Sequence, residues 1–398
     1  MNNSNKIVLA FSGGLDTSYC VPYLKQTYGA EIHTVLVNTG GFSKEELTET
    51  EKHAYNLGAD THNTLEQTEK FYQKIIKYLI FGNILKNDTY PLSVSSERVF
   101  QAVAIANYAK QIGADAIAHG STGAGNDQVR FDLVFNVIAP ELEIITPIRD
   151  QKLSREQEVE FLQQQGYDFE WAEAKYSINK GLWGTSVGGA ETLTSDKPLP
   201  EEAWPSQLKK TDQQTITLEF EKGEPVALDG KKLPPVELIQ QLNELASDYA
   251  VGRDVHVGDT IIGIKGRVGF EAAAPMILIK AHKQLEKHVL TKWQLYWKKQ
   301  LAEWYGMMLH EGQYLDPVMR NIEQFLADTQ SNVTGSVTVN LAPYQFTIEG
   351  ITSDNDLMDA KFGDYGEMNK SWSGEDVKGF AKILSNQINI HKSVNSHD

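Results

Sequence analysis

The stretch that decides the fold is KIVLAFSGGLDTS, Lys6–Ser18, in which a short apolar run leads into a loop rich in glycine and hydroxyl groups. The apolar run is typical of a buried strand. Gly13 and Gly14 let the backbone approach an anion closely, and Thr17 and Ser18 stand where the free N–H groups of a following helix begin. No Gly-Lys-Ser/Thr follows, so this is not a Walker A loop. The stretch therefore predicts a strand, a phosphate-binding loop and a helix in succession.

Similar apolar runs alternate with amphipathic stretches over residues 1–166. The predicted strands are Lys6–Phe11, Glu31–Thr39, Ala114–Gly120 and Glu143–Pro147, and the predicted helices are Lys44–Leu57, Arg98–Ile112 and Ser154–Gln165. This alternation predicts an α/β fold with a doubly wound parallel sheet. Ligands bind at the carboxyl ends of the strands in such sheets, so we expect a site just after Phe11, Val37 and His119.

The pattern changes after Gly166, where a second domain is expected. A long ordered loop over 167–210 precedes predicted strands at Thr215–Phe220 and near Thr260–Lys265, a helix at Pro235–Tyr249 and a hairpin at Ser336–Ile351. We therefore expect a nucleotide-binding domain over 1–166, an α+β domain over 167–365 and a C-terminal helix within 366–398.

The composition excludes several classes of protein. The chain has 37 Lys and Arg against 53 Asp and Glu, a net charge of −16, which argues against a general nucleic-acid binder. Its one cysteine, Cys20, permits neither an intrachain disulfide nor a cysteine-based zinc site. No apolar stretch approaches the roughly 18 residues of a membrane span, and no signal peptide is evident. A cytoplasmic protein with small-molecule partners, no nucleic acid and no membrane is expected.

A second glycine-rich segment follows the predicted strand that ends near His119. It is HGSTGAGNDQVRF, residues 119–131. Thr122, Asn126, Asp127 and Arg130 add a hydroxyl, an amide, a carboxylate and a guanidinium to it. Such a set suits a zwitterionic amino acid, with Asp127 for an ammonium and Arg130 for a carboxylate. A solvated glycine-rich turn would not require these polar groups.

Both segments resemble known motifs. SGGLDTS resembles the pyrophosphate loop of the N-type ATP pyrophosphatases, which cleave ATP between its α and β phosphates. HGSTGAGNDQVRF resembles the signature of one family among them, the argininosuccinate synthases, whose usual form has a lysine where this chain has Ala124. Tyr90, Ser95 and Arg98 match that family's substrate segment, and Ser177 and Ser186 match its later substrate serines.

The resemblance implies a reaction and a set of binding residues. In the family, ATP adenylates the ureido oxygen of citrulline with release of pyrophosphate, and the α-amine of aspartate then displaces AMP. The residues implied for ATP are Ala10, Phe11, Ser12, Gly13, Gly14, Leu15, Asp16, Thr17, Ser18, Val37, Ala118, His119 and Gly120. Those implied for aspartate are Thr122, Asn126 and Asp127, and those for citrulline are Tyr90, Ser95, Asn126, Arg130, Ser177 and Ser186. Mg²⁺ is expected with the pyrophosphate, its ligands undetermined, and the family suggests a homotetramer.

Two departures leave the acceptor open. Gly258 stands where the family has a citrulline-contacting glutamate, and Phe270 stands where it has a tyrosine. In another register, Asp259 takes the place of the glutamate. Either free citrulline binds through rearranged neighbours, or the acceptor is an N-acylated citrulline, whose nitrogen is neutral.

Two other functions would require different sequence features. A tRNA-modifying pyrophosphatase would call for a basic face or a cysteine pair, and a nucleotide-binding module without activity would not need the polar set from Thr122 to Arg130.

Apolar stripes near the C-terminus predict contacts between subunits. The last predicted helix carries an apolar face of Val377, Phe380, Ala381, Leu384 and Ile388, and Ser373 with Asp376 forms a capping box at its start. Because an isolated helix is marginal without packing, we expect this face to clamp a neighbouring subunit. The aromatic stripe Leu290, Trp293, Trp297, Leu301, Trp304 and Met308 has helical spacing and predicts a core or a subunit interface.

Overall fold

A parallel sheet organises the first part of the molecule, whose computed structural model describes residues 5–167, 175–358, 365–366 and 371–395. Its strands lie in the order β3-β2-β1-β4-β5, and all neighbouring pairs are parallel. They are β1 (Lys6–Ala10), β2 (Glu31–Asn38), β3 (Thr61–Glu66), β4 (Ala116–His119) and β5 (Glu143–Ile145). The predicted α/β fold class is confirmed.

The helices of this part connect the strands and cover the sheet. They are α1 (Leu15–Tyr28), α2 (Lys44–Asn56), α3 (Thr68–Phe71), α4 (Lys77–Gly82), α5 (Ser93–Ile112), α6 (Asp127–Ile138), α7 (Pro147–Gln151) and α8 (Arg155–Gln164), with a π-helical segment at Tyr72–Ile76 between α3 and α4. Capping boxes begin α2 at Ser43 and α8 at Ser154.

Alternation along β1 explains why both faces of the sheet are covered. Ile7 and Leu9 pack into a core with residues of α1 and α8, whereas Val8 and Ala10 pack into the core on the other face, which includes α5. Successive side chains of a strand point to opposite faces, and parallel sheets are usually buried on both. The loops at the carboxyl ends of the strands are therefore left as the open edge.

The strand β3 was not predicted. Its sequence, THNTLE, is mostly polar, and several of its residues are partly or fully exposed. It pairs with β2 at the edge of the sheet. An edge strand needs fewer apolar side chains than a central one, so its pattern carries no clear strand signal.

The second part of the chain contains two antiparallel sheets. Its strands are β6 (Ser177–Asn179), β7 (Thr185–Gly188), β8 (Gln214–Glu221), β9 (Glu224–Leu228), β10 (Lys231–Lys232), β11 (Arg253–Asp259), β12 (Lys265–Glu271), β13 (Gly335–Ala342) and β14 (Gln345–Thr352). Its helices are α9 (Pro235–Ser247), α10 (Ala273–Val289), α11 (Lys292–His310), α12 (Pro317–Asp328), α13 (Gly374–Leu384) and α14 (Asn386–Asn395). One sheet has the order β10-β9-β8-β13-β14 and the other β11-β12-β7-β6.

Two predictions for this part were wrong. The segment 167–210 is not one long loop, because it contributes β6 and β7 to a sheet, although 168–174 lies outside the described residues. The strand expected near Thr260–Lys265 is mostly a turn between β11 and β12, closed by the Thr260 N–H donating to the Ile264 carbonyl at 2.8 Å. The apolar residues of this turn resemble the sequence pattern of a strand, but their side chains are exposed and do not pack into a hydrophobic core.

The C-terminal helices lie outside the hydrophobic core. None of the residues of α13 and α14 is buried, and Phe380, Ile383 and Leu384 are exposed. The predicted capping box of Ser373 and Asp376 is present. Among the described residues, no helix is both long enough and apolar enough to cross a bilayer.

Candidate active site

A wide cleft opens at the carboxyl ends of the parallel strands, where residues of the second part of the chain face the sheet. Its volume is about 1060 Å³. The predicted residues on its wall are Ala10, Phe11, Ser12, Gly14, Leu15, Asp16, Thr17, Val37, Tyr90, Ser95, Arg98, His119, Gly120, Thr122, Asn126, Asp127, Arg130, Ser177, Ser186 and Gly258. The structure thus brings both glycine-rich loops, the Tyr90 segment and the later serines to the edge where parallel sheets bind ligands.

The loop between β1 and α1 forms a ready anion site. Gly13 has a φ of +79°, a conformation that glycine adopts at little cost. Gly14 is the N-cap of α1 and supplies no side-chain cap, so the first N–H groups of the helix face a ligand position. The Thr17 hydroxyl donates to the Gly14 carbonyl at 3.2 Å and lies 3.4 Å from the Ser12 hydroxyl. These contacts hold the loop in shape.

Ser18, predicted to bind ATP, lies behind the loop rather than on the cleft wall. Its N–H already donates to the Gly14 carbonyl at 2.9 Å, because it is the fourth residue of the helix. Its buried hydroxyl hydrogen-bonds His53 Nε2 at 2.8 Å. Ser18 therefore holds α2 against α1.

Three further predicted residues also lie off the wall. A Cβ on Gly13 would be 3.3 Å from Thr50, so this glycine faces α2. Ala118 is fully buried within the sheet, and Phe270 is fully buried beside the Tyr90 ring, with the ring centroids 5.5 Å apart. These three residues therefore lie behind the cleft wall and do not form part of its surface.

An acidic pair lies beside the phosphate loop. Burial raises the pKa of Asp16, with Glu158 and Arg155 acting in the opposite direction. Burial and the neighbouring Asp16 raise the pKa of Glu158 to about 8. At neutral pH Glu158 therefore keeps its proton most of the time, and the pair carries less negative charge than two ionised carboxylates would. This lowers the repulsion that bound phosphates would meet.

The second glycine-rich loop is held by side-chain amides. Gln128 Nε2 donates to the carbonyls of Gly123 and Gly125 at 2.6 and 3.1 Å. Asn126 Oδ1 accepts the N–H of Ile261 at 2.8 Å. Asn126 thereby ties the second glycine-rich loop to the turn between β11 and β12.

A charge bridge crosses the floor of the cleft. Asp127 Oδ1 accepts from Arg130 Nη1 at 2.9 Å, and Asp127 Oδ2 accepts from Arg98 Nε at 3.2 Å. Burial raises the pKa of Asp127, but the two guanidinium groups outweigh it, and the pKa is lowered overall. Asp127 is thus an ionised carboxylate between two cations. The two groups expected to bind an ammonium and a carboxylate separately are bonded to each other.

Tyr90 presents its hydroxyl at the start of α5. The buried hydroxyl accepts hydrogen bonds from the Ser93 hydroxyl and the Val94 N–H, both at 3.1 Å. Leu92, the N-cap, has a φ of +61°, and its carbonyl accepts the Ser95 hydroxyl at 3.4 Å. Because the Tyr90 oxygen already accepts two hydrogen bonds, its own proton is available to an acceptor in the cleft.

The later serines come from a pair of short strands. In the β6–β7 ladder, Ser177 pairs with Gly188 and Asn179 pairs with Ser186. Asn179 Oδ1 also accepts from Arg98 Nη2 at 2.9 Å. This hydrogen bond connects the strand pair to the charge bridge.

Comparison with known proteins decides the family. The model described as "Arginosuccinate synthase N-terminal HUP domain" matches residues 6–168, and "Arginosuccinate synthase C-terminal domain" matches 176–391. An argininosuccinate synthase of Xanthomonas campestris pv. campestris is 38% identical over 405 residues, covering 99% of this chain and 100% of the relative. One from Methanocaldococcus jannaschii is 40% identical over 337 residues, covering 84% of this chain and 85% of the relative. The chain belongs to the argininosuccinate synthase family.

Membership of the argininosuccinate synthase family confirms the interpretation of the sequence. The chain is an ATP-dependent carbon–nitrogen ligase of that family, and neither a tRNA-modifying enzyme nor an inactive nucleotide-binding module is favoured.

This chain has Gly258 at the position where the argininosuccinate synthase family has a citrulline-contacting glutamate, and a neighbouring histidine fills the space. Gly258 lies on the cleft wall, and a Cβ at this position would be 2.6 Å from His256 Nε2. The His256 ring stacks on Tyr90 at a centroid distance of 5.2 Å. Burial and the charge of Lys86 lower the pKa of His256, with Asp254 opposing them, so the ring is neutral at neutral pH. The imidazole therefore fills space that a side chain at 258 would need.

Several polar residues on the cleft wall were not predicted. They are Thr39, Glu46, Gln101, Arg155, Asn179, Lys180, His256, Arg267 and His310. Most lie outside the recognisable motifs, and no local pattern distinguishes them from surface or core residues. A histidine on a strand or at a helix end is an ordinary feature of a sequence, so His256 and His310 carried no signal.

Proposed function

We propose that this cleft joins citrulline to aspartate through an adenylated citrulline, with release of pyrophosphate and AMP. The observation that supports this most strongly is that the phosphate loop and the polar acceptor segments line one cleft. In the proposal, the protein contributes mainly by holding three reactants in a productive arrangement. The free N–H groups of α1 and the charged groups on the floor supply electrostatic stabilisation.

ATP binds at the loop end of the cleft in this proposal. Its phosphates lie over the N-terminus of α1, and its base lies toward Val37 at the end of β2. Mg²⁺ takes mostly phosphate and water oxygens with few protein carboxylates, and Asp16, whose carboxyl group lies on the cleft wall, fits such a role. The ion would neutralise charge on the leaving pyrophosphate.

The amino-acid substrates bind at the other end. Thr122, Asn126 and Asp127 receive aspartate. Citrulline is received by Tyr90, Ser95, Asn126, Arg130, Ser177 and Ser186. The bridged guanidinium of Arg130 has N–H groups left to donate to a carboxylate, because its bonds to Asp127 and His310 use only part of its five donors.

The acceptor in this proposal is free citrulline. The space that Gly258 would open for an acyl group is taken by His256. A neutral imidazole has one nitrogen that accepts a hydrogen bond, which suits the α-ammonium in place of the missing carboxylate. Asp259, the alternative acid, is exposed and forms an ion pair with Lys265 at 2.7 Å. Asp259 also lines the cleft, but its carboxylate is already engaged by the Lys265 ammonium.

The products and the acceptor can be tested together. With ATP, aspartate and citrulline, the enzyme should form AMP and pyrophosphate in equal amounts with argininosuccinate. N-acetyl- and N-succinylcitrulline should give a lower kcat/KM, because His256 leaves their acyl groups no room. Nucleotide and pyrophosphate assays on the same preparation measure both results. ADP as the main product would contradict the proposed reaction, and a preference for an acylated acceptor would contradict the choice of free citrulline.

We also propose a cytoplasmic homotetramer held partly by the C-terminal helices. The exposed fractions of Val377, Phe380 and Leu384 on α13 and of Ile388 on α14 are 49%, 66%, 65% and 62%, a large apolar surface to leave in water. Trp293, Trp297 and Trp304 on α11 are exposed as well.

Deleting 366–398 should lower the molar mass in solution below that of a tetramer, because the apolar clamp is lost. Light scattering coupled to gel filtration measures this. Replacing Lys378 and Lys382 by alanine is a control, since it changes the polar side of the same helix. A tetramer that survives the deletion would refute the clamp.

A further inference from the structure

His310, the last residue of α11, reaches the cleft from a distant part of the chain. It lies on the cleft wall and is 7% exposed. Its backbone carbonyl accepts from Arg130 Nε at 2.9 Å, and its ring Nδ1 lies 3.3 Å from Arg130 Nη2. A guanidinium donates and never accepts, so Nδ1 is the acceptor in this contact.

The contact with Arg130 determines the tautomer of the ring. Burial, followed by the charges of Arg130 and Lys86, lowers the pKa of His310 to about 2, with the backbone of Asp259 acting in the opposite direction. The ring is neutral at working pH, and because Nδ1 accepts, the hydrogen is on Nε2. The Asp259 backbone acts on the ring as a weak acceptor, but buried His310 Nε2 forms no hydrogen bond of ordinary length and angle with the residues that the structure describes.

A buried N–H donor without a partner requires an explanation. It normally costs about 1–3 kcal/mol, and on a cleft wall a ligand atom can remove that cost. The groups around this donor select the ligand atom. The Arg130 guanidinium and the positive Lys86 both act on His310. At the position facing Nε2 and Arg130, an ammonium group would find only N–H donors, whereas a carboxylate oxygen would accept from both.

We propose that His310 is a substrate-binding residue whose Nε2–H donates to the α-carboxylate of citrulline beside Arg130. This rests on the proposed function, which places citrulline at this end of the cleft. His310 then acts twice: its carbonyl and Nδ1 orient the guanidinium, and its Nε2–H completes the carboxylate site. The site selects an acceptor with a free carboxylate.

Two amide substitutions separate these roles. In His310→Gln, the side-chain amide can place an N–H donor near the position of Nε2, whereas in His310→Asn the shorter amide can replace only the acceptor at Nδ1. We expect His310→Asn to raise the KM for citrulline by about 10- to 100-fold, the range for a lost hydrogen bond to a charged group. His310→Gln should stay within a few-fold of the wild type. The KM values for ATP and aspartate should change little in both.

If the role of His310 is purely structural, the two substitutions should have the opposite order of effect. If His310 only oriented Arg130, His310→Asn would keep that contact and His310→Gln would be the weaker enzyme, which would overturn the proposal. His288→Asn is a matched control, because His288 contacts Asp356 away from the cleft. Thermal unfolding of all three variants checks that they remain folded.

A substrate analogue gives a second measurement. Wild-type enzyme should prefer citrulline over citrullinamide, which lacks the negative charge, and this preference should shrink in His310→Asn by the same factor as the KM rises. An unchanged preference would overturn the proposal, as would a rise in the KM for aspartate instead of citrulline. A wild type that does not form pyrophosphate with citrulline would refute the proposed function itself, so the two failures are distinguishable.

Discussion

Replacing Arg130 by methionine should lower kcat/KM for citrulline by about two to four powers of ten. The side chain of Arg130 is 4% exposed and bonds Asp127 and His310. Its loss leaves the Asp127 carboxylate with Arg98 alone and removes the cation expected to meet the substrate carboxylate. Truncating one partner of a buried, hydrogen-bonded charge pair between two binding partners costs about 2–5 kcal/mol of binding, which corresponds to roughly that range of affinity.

Steady-state kinetics with each substrate varied in turn measures this effect. The kcat/KM of Arg130→Lys for citrulline should lie between those of the wild type and Arg130→Met, because lysine keeps the charge but cannot reproduce the guanidinium fork. Lys25→Met, which removes an exposed ion pair with Asp60, is a control for the loss of a surface cation. A loss of less than tenfold in Arg130→Met would remove Arg130 from the acceptor site.

Replacing Lys298 by methionine should lower the free energy of unfolding by about 3–5 kcal/mol. Lys298 Nζ donates to Glu286 Oε2 at 2.8 Å, and the side chains are 3% and 0% exposed. Gln330 Nε2 donates to Glu286 Oε1 at 2.9 Å, and Gln330 Oε1 lies 2.8 Å from His282 Nε2. Without the ammonium group, the Glu286 carboxylate would be buried with amide donors but no lysine to neutralise it.

Urea unfolding at one fixed protein concentration measures the change, because assembly makes stability depend on concentration. Lys299→Met is the matched control on the same helix. Lys299 is 71% exposed and lies 3.8 Å from Glu303, so its loss should change stability by less than about 1 kcal/mol. Equal effects of the two substitutions would show that the buried ion pair does not stabilise the fold.

Local sequence features were sufficient for the fold class and for the glycine loop between β1 and α1. The strand, the glycine turn and the helix start lie within Lys6–Ser18, and each depends on interactions between near neighbours in the chain. The central strands and the capped helices were predicted for the same reason. The polar edge strand Thr61–Glu66 was missed because its pairing with β2 stabilises it, and its own pattern does not show that.

Only the tertiary structure shows which side chains from separate elements contact one another in the candidate site. Asp127 and Arg130 were both predicted as site residues, and their i,i+3 spacing on α6 already allows them to pair. The bond of Asp127 to Arg98 depends on how α5 and α6 pack. His310 reaches Arg130 from 180 residues away, and His256 fills the space beside Gly258 because β11 turns its ring toward Tyr90. A sequence motif identifies residues that act together because they are close in the chain. Distances between side chains on separate elements follow from packing, and no local pattern contains them.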